Sequence, residues 1–197
     1  MQTKDAIKFA LTISNGAVLS VIDEMSGAAT TFPTPNGGCH PLWVLGHLTL
    51  VEGSIPAILF GDKNPAAEWQ LSFGENSKPV ADVSAYPPFE EVREKYLQLR
   101  EQNLKLLESL SEADLDKPTK APPKGREREF ATYGQSFLAL ALHQTMHRGN
   151  VTDARRAAGR AVATSAANQS SANPGLPTSL GHGLSSSSRI PLLSSPA

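Results

Sequence analysis

Three histidines of this chain have the residue type and spacing to hold a metal ion. His47 lies in one apolar helical segment, and His143 and His147 lie in another. Four residues turn an α-helix through about 400° and advance it about 6 Å, so the rings at 143 and 147 project from one face, one turn apart. A third imidazole from a facing helix would complete a three-nitrogen site for a divalent cation with one coordination position open. The alternative is a pair of core histidines, each satisfied by a single hydrogen bond. Two neutral rings one turn apart are hard to satisfy in that way, because each brings both a donor and an acceptor. A metal removes the difficulty by taking the acceptor nitrogen of each ring.

The pair does not form the zinc-protease motif, which needs a Glu directly after the first His as general base. Here that residue is Gln144, which cannot carry a proton at neutral pH. What remains is a centre that lowers the pKa of bound water toward about 7, polarises a carbonyl or binds a thiolate. Zn²⁺ suits nitrogen ligands by default, and Ni²⁺ and Fe²⁺ also accept imidazole. Cys39 and His40 precede the second helix and are placed to reach the mouth of such a site; Cys39 reads first as a small buried residue at a helix start, and only secondarily as a nucleophile or fourth ligand. Asn36 and Asn150 are candidates to orient a ligand by hydrogen bonds. Glu52, five positions after His47, is rotated off that face and is expected in solvent. No G-x-S-x-G, P-loop or dinucleotide fingerprint occurs.

Four helical segments must position these residues. The first runs from about Asp5 to Met25, with Ala6, Phe9, Ala10, Ile13, Ala17 and Val21 on one stripe and Gly27 as its stop. The second begins at Pro41, where a missing N–H costs nothing, and ends at Gly61. Trp43, His47, Leu50, Val51, Ser54 and Ile58 share one of its faces, and Pro56 predicts a kink or break. Residues 62 to 86 show no sustained period, so the second and third helices need not be adjacent antiparallel neighbours. The third opens at Pro87–Pro88 and carries Phe89, Val92, Tyr96, Leu99, Asn103, Leu106, Leu107 and Leu110 on its stripe. The fourth starts with a capping box at Thr132–Gln135 and puts Phe137, Leu140, His143, His147 and Val151 on its buried side. With no β pattern of comparable strength, the fold class predicted is all-α, a four-helix bundle.

The 18 Lys and Arg against 19 Asp and Glu give a formal charge of −1, which offers no support for nucleic acid as partner. A single cysteine excludes an internal disulfide. The apolar stretch Phe9–Ile22 is interrupted or flanked by Asp5, Asn15, Asp23 and Glu24, which argues against a signal peptide. No segment reads as a bilayer span, and a soluble cytoplasmic protein is expected. From Ala161 the composition changes: the last 37 residues hold ten serines, four prolines and one charged residue, Arg189. They carry too little periodic apolar surface to offset the cost of ordering, which predicts a helical domain over 1–160 and a disordered tail over 161–197. His182, in that tail, is not expected to be a ligand.

Two stretches resemble a known family. Pro41-Leu42-Trp43-Val44-Leu45-Gly46-His47-Leu48 is similar to the second-helix motif of the DinB-like (DinB/YfiT) superfamily. His143-Gln144-Thr145-Met146-His147-Arg148-Gly149-Asn150 resembles its last-helix motif, with Asn150 where Gln is common. The resemblance implies a bundle in up-down-down-up order and a divalent metal held by three histidines, which carry over to His47, His143 and His147. It also implies a metal-dependent hydrolase or a low-molecular-weight-thiol S-transferase acting on a small-molecule substrate, with a homodimer plausible. The rival expectation is a non-catalytic, metal-stabilised bundle acting as a stress-linked interaction or dimerisation protein. An enzymatic site should leave the metal without a Cys, Asp or Glu ligand, whereas a structural site would be closed by one.

Overall fold

The computed structural model describes residues 1–26, 30–31 and 38–160, which fall within one unit, Met1–Ala161. The expected disordered tail, His182, Asn36 and Gly27 lie outside the described residues. Five helices and no strand occur among those described: α1 (Thr3–Asp23), α2 (Pro41–Phe60), α3 (Gln70–Phe73), α4 (Phe89–Ser109) and α5 (Tyr133–Ala157). The class is all-α, as expected. The short α3 was not expected, because four residues are too few to show a period. It sits in the long connection that read as irregular, alongside two 3₁₀ turns at Ala67–Trp69 and Val83–Ala85.

The helix termini follow local chemistry. Pro41 occupies the first turn of α2, and Gly61 closes it in the left-handed conformation at φ 78°, which a side chain would disfavour. Thr132 caps α5 by accepting from the Gln135 amide, and Gln135 accepts from the Thr132 amide in return. Pro56 does not break α2. A proline there leaves the Glu52 carbonyl without its usual donor four residues on, and the Asn103 side chain supplies one at 2.9 Å.

Two apolar cores are stacked along the helices. One gathers Val18 and Ile22 of α1, Leu42, Leu45 and Leu48 of α2, Tyr96 and Leu99 of α4, and Val151 of α5. The other gathers Ile7 and Leu11 of α1, Ile55 and Leu59 of α2, Leu107 of α4, and Phe137 and Leu140 of α5. Between them each long helix contributes buried polar residues: Ser14, Glu52, Arg100 with Asn103, and Gln144. These bond to one another across the interior. Arg100 donates to Glu52 at 2.9 Å, Asn103 to Glu52 Oε2 at 2.6 Å, and Gln144 to Glu52 Oε1 at 2.7 Å. Ser14 donates to Gln144 Oε1 at 2.7 Å, while the Tyr96 hydroxyl accepts from Gln144 at 3.0 Å and donates to Asn15 at 2.7 Å. Burial pushes the Glu52 carboxyl upward, and Arg100, Asn103 and Gln144 oppose that shift by stabilising the charge.

Three expectations are corrected here. Glu52 is fully buried, because α2 is covered on nearly all sides and the face five residues from His47 packs inward rather than into water. The buried stripe of α1 is Ile7, Leu11, Ser14, Val18, Val21 and Ile22, while Phe9 and Ile13 are exposed. Ser14 can lie on the inner face because Gln144 accepts its hydroxyl proton. Finally, α1 and α2 do pass the length and composition test for a membrane span, with mean hydropathy 1.3 and 1.5. For α2, 78% of that apolar window is buried inside the protein, as befits the central helix of a helical core.

Candidate metal centre

His47 sits nearly two turns into α2, where its orientation is set from two sides. The Trp43 indole stacks on its ring at 4.8 Å and 7° between planes. Its Nδ1 donates to the Phe73 carbonyl at 2.9 Å, so the short α3 acts as a bracket for the imidazole. The close approach of α3 needs Gly46, since a Cβ at that position would overlap the Phe73 ring. His40 is not at the site mouth. It caps α2 by accepting from the Trp43 amide at 3.0 Å, and its Nε2 donates to the Val80 carbonyl at 2.9 Å.

On α5, Gln144 points into the polar layer, which turns His143 and His147 off the apolar core and toward the face of His47. The expectation that both histidines belong to the buried stripe is thus corrected. That stripe is Phe137, Leu140, Ala141, Gln144, Val151 and Ala154, and the two histidines are half-buried at its edge. Their rings stack at 4.6 Å and 22°.

The three imidazoles converge. His143 Nε2 lies 3.1 Å from His47 Nε2 and 2.7 Å from His147 Nε2. One ligand atom from each residue falls within 4.8 Å of the others, and no Cys, Asp or Glu among the described residues joins the group. Because His47 Nδ1 must carry the proton given to Phe73, its Nε2 presents a bare lone pair to the other two rings. The geometry fits a cation: the Nε2 atoms of the three rings gather at one point, and the two short separations are near the about 3.3 Å between nitrogens of a tetrahedral site.

The electrostatics agree. Burial, with the neighbouring His147, His47 and Arg126, pushes His143 down to about 3. Burial and His47 push His147 down to about 4, with Asn150 pulling the other way. Burial also lowers His47, against the Phe73 carbonyl and the Glu75 charge. All three are held neutral, the form that ligates metals.

The group opens into a cavity of about 1000 Å³ bounded by α2, α5 and the segments around Gly74 and 123–130. The face of α2 read from the sequence, Trp43 through Ile58, is one of its walls. Cys39 also lines it, half-buried, its thiol pushed up by burial and so a poor nucleophile. Asn150 is exposed beside His147. The residue sequence reasoning missed is Phe73, which holds His47 and lies in no periodic segment that would have flagged it; Arg126, which reads from the sequence as part of a solvated mixed-charge surface, is exposed and its charge reaches His143.

The chain matches no curated protein. The family model of the DinB superfamily matches residues 10–151, a span that holds all three histidines and most of the helical unit. The chain belongs to the DinB superfamily.

Proposed function

We propose that this protein is a divalent-metal-dependent enzyme, a hydrolase or a low-molecular-weight-thiol S-transferase, with His47, His143 and His147 as ligands. The observation that carries this reading is the convergence of three neutral imidazoles in an open cavity, with no Cys, Asp or Glu among the described residues joining them as a ligand. A structural site is normally closed by four protein ligands, whereas three leave a position for a reactant. A Zn²⁺, Ni²⁺ or Fe²⁺ bound there supplies Lewis-acid polarisation and a lowered pKa for a water or thiol. The chain's own residues do the rest. Phe73 and Trp43 fix the His47 ring, Gln144 fixes the rotation of α5, and the walls of α2 and α5 give the reacting groups an apolar flank.

The family's up-down-down-up order is part of this reading. It is supported by the sequence in which the helices meet the two cores: α1 and α5 run from the Phe137 core to the Tyr96 core, and α2 and α4 the opposite way.

Cobalt substitution tests the proposal. Co²⁺ should bind with visible d–d bands, and a small thiol such as cysteine should then add a thiolate-to-cobalt charge-transfer band. Bands that no thiol perturbs would favour a closed, structural centre. No Co²⁺ binding would end the metalloenzyme reading.

A further inference from the structure

The cavity beside the histidines is larger than one metal and one water require, and its wall is chemically divided. Leu50, Val51 and Ile58 of α2 and Leu138, Leu142 and Met146 of α5 give it an apolar side. Leu142 and Met146 are 67% and 72% exposed, an unusual state for large apolar side chains beside a cluster of buried polar groups.

The segment 123–130 gives the same cavity three cations, Lys124, Arg126 and Arg128. Arg126 is held in place by its guanidinium lying over the Phe130 ring, 5.1 Å from the centroid. Its one ion pair among the described residues, with Glu129, is long at 3.6 Å and exposed on both sides, so it holds the cation weakly. Neither Lys124 nor Arg128 has an ion pair among the described residues. Two carboxylates also line the cavity: Glu129, engaged with Arg126, and Glu75, which lies two residues beyond the Phe73 carbonyl that holds His47. The lining thus has three cations against two carboxylates, with all three cations on the 123–130 segment, where Glu127 accepts from the Gly125 amide and does not line the cavity. Low-dielectric walls beside that segment focus its field into the cavity.

We propose that the cavity binds a small molecule with an anionic group on an apolar body, its anion held by Lys124, Arg126 and Arg128 and its body against Leu50, Leu138 and Met146. A guanidinium recognises carboxylate, phosphate or sulfonate through paired N–H donors, and the apolar wall takes a chain of several carbons. This inference rests on the metal-centre reading only for what happens at the other end of the ligand, which would lie toward the histidines.

Calorimetric titration of the full chain with 1-octanesulfonate and with 1-octanol tests it. The two share a tail, and sulfonate is a poor ligand for divalent metals. Octanesulfonate should bind at least tenfold more tightly than octanol. The triple variant Lys124→Gln, Arg126→Gln, Arg128→Gln should lose that advantage while its octanol affinity stays the same. Equal affinities in the unaltered protein, or an advantage that survives in the triple variant, would overturn the proposal. The anion preference should also persist after chelator treatment. Its loss on chelation alone would assign the anion to the metal and refute the loop subsite while sparing the metal centre, whereas a persistent preference in a protein that binds no metal would do the reverse.

Discussion

The side-chain amide of Gln144 donates to the Glu52 carboxylate across 2.7 Å, and this bond joins the helix bearing His143 and His147 to the helix bearing His47. Gln144 lies between the two histidines of α5, and Glu52 lies five residues after the third. The polar layer therefore sets the rotation and height at which the three rings meet. The position that rules out a zinc-protease base is occupied by a residue with a structural task.

Gln144→Ala should accordingly act at two levels. It removes a donor from a buried carboxylate and leaves the Ser14 and Tyr96 hydroxyls short of a partner. The cost should be about 2–4 kcal/mol of stability, read from urea denaturation. Zinc affinity of the folded variant should fall at least tenfold. An unchanged affinity would mean that the histidines do not depend on the layer for their register.

Asn103 and Pro56 should be coupled. Asn103→Leu strips the Glu52 carbonyl of the donor that stands in for the missing proline N–H, at about 1–3 kcal/mol. Pro56→Ala restores a backbone donor. Combined with Asn103→Leu it should recover part of the loss, with a coupling of about 0.5–1.5 kcal/mol in a double-mutant cycle. Strict additivity would show that the two residues do not serve the same carbonyl.

Gly46→Ala probes the bracket around His47. The added methyl would overlap the Phe73 ring and should cost about 1–3 kcal/mol. The displaced Phe73 carbonyl should also weaken zinc binding. A neutral substitution would show that α3 yields without disturbing His47.

The pH dependence of the metal-free protein has a definite sign. An unfolded imidazole titrates near about 6.5, whereas His143 and His147 are held near about 3 and about 4. Between those limits the unfolded chain binds more protons, so stability is complete above about pH 6.5 and falls as pH drops toward 4. The raised Glu52 contributes the opposite slope. The comparison is therefore with His143→Asn, His147→Asn, whose urea midpoint should fall less from pH 7.5 to pH 5. Parallel profiles would contradict the shifts.

Much of the site was legible because its signals are local. His143 and His147 share a face by spacing alone, Pro41 and Thr132 mark the starts of their helices, and the Trp43–Ile58 face of α2 does line the cavity. The polar layer was not legible. Glu52 read as outward-facing, and Ser14 and Gln144 carried no interior signal, because a buried polar residue costs free energy unless partnered, and the partners lie 92 and 130 residues apart. The buried stripe of α1 holds Ser14 among Ile7, Leu11 and Val18, and its partner Gln144 lies on another helix. Phe73 was missed because the His47 ring meets its backbone carbonyl, which every residue has and no side-chain pattern reveals.

The central claim is that three imidazoles from α2 and α5 hold one divalent cation. Elemental analysis of the purified full chain beside His143→Ala, with both variants shown to be folded by circular dichroism, tests it most directly. The account predicts close to one equivalent of metal in the unaltered protein and a small fraction of that in the variant. Equal metal content in the two, or none in either after incubation with Zn²⁺, Ni²⁺ and Fe²⁺, would contradict it.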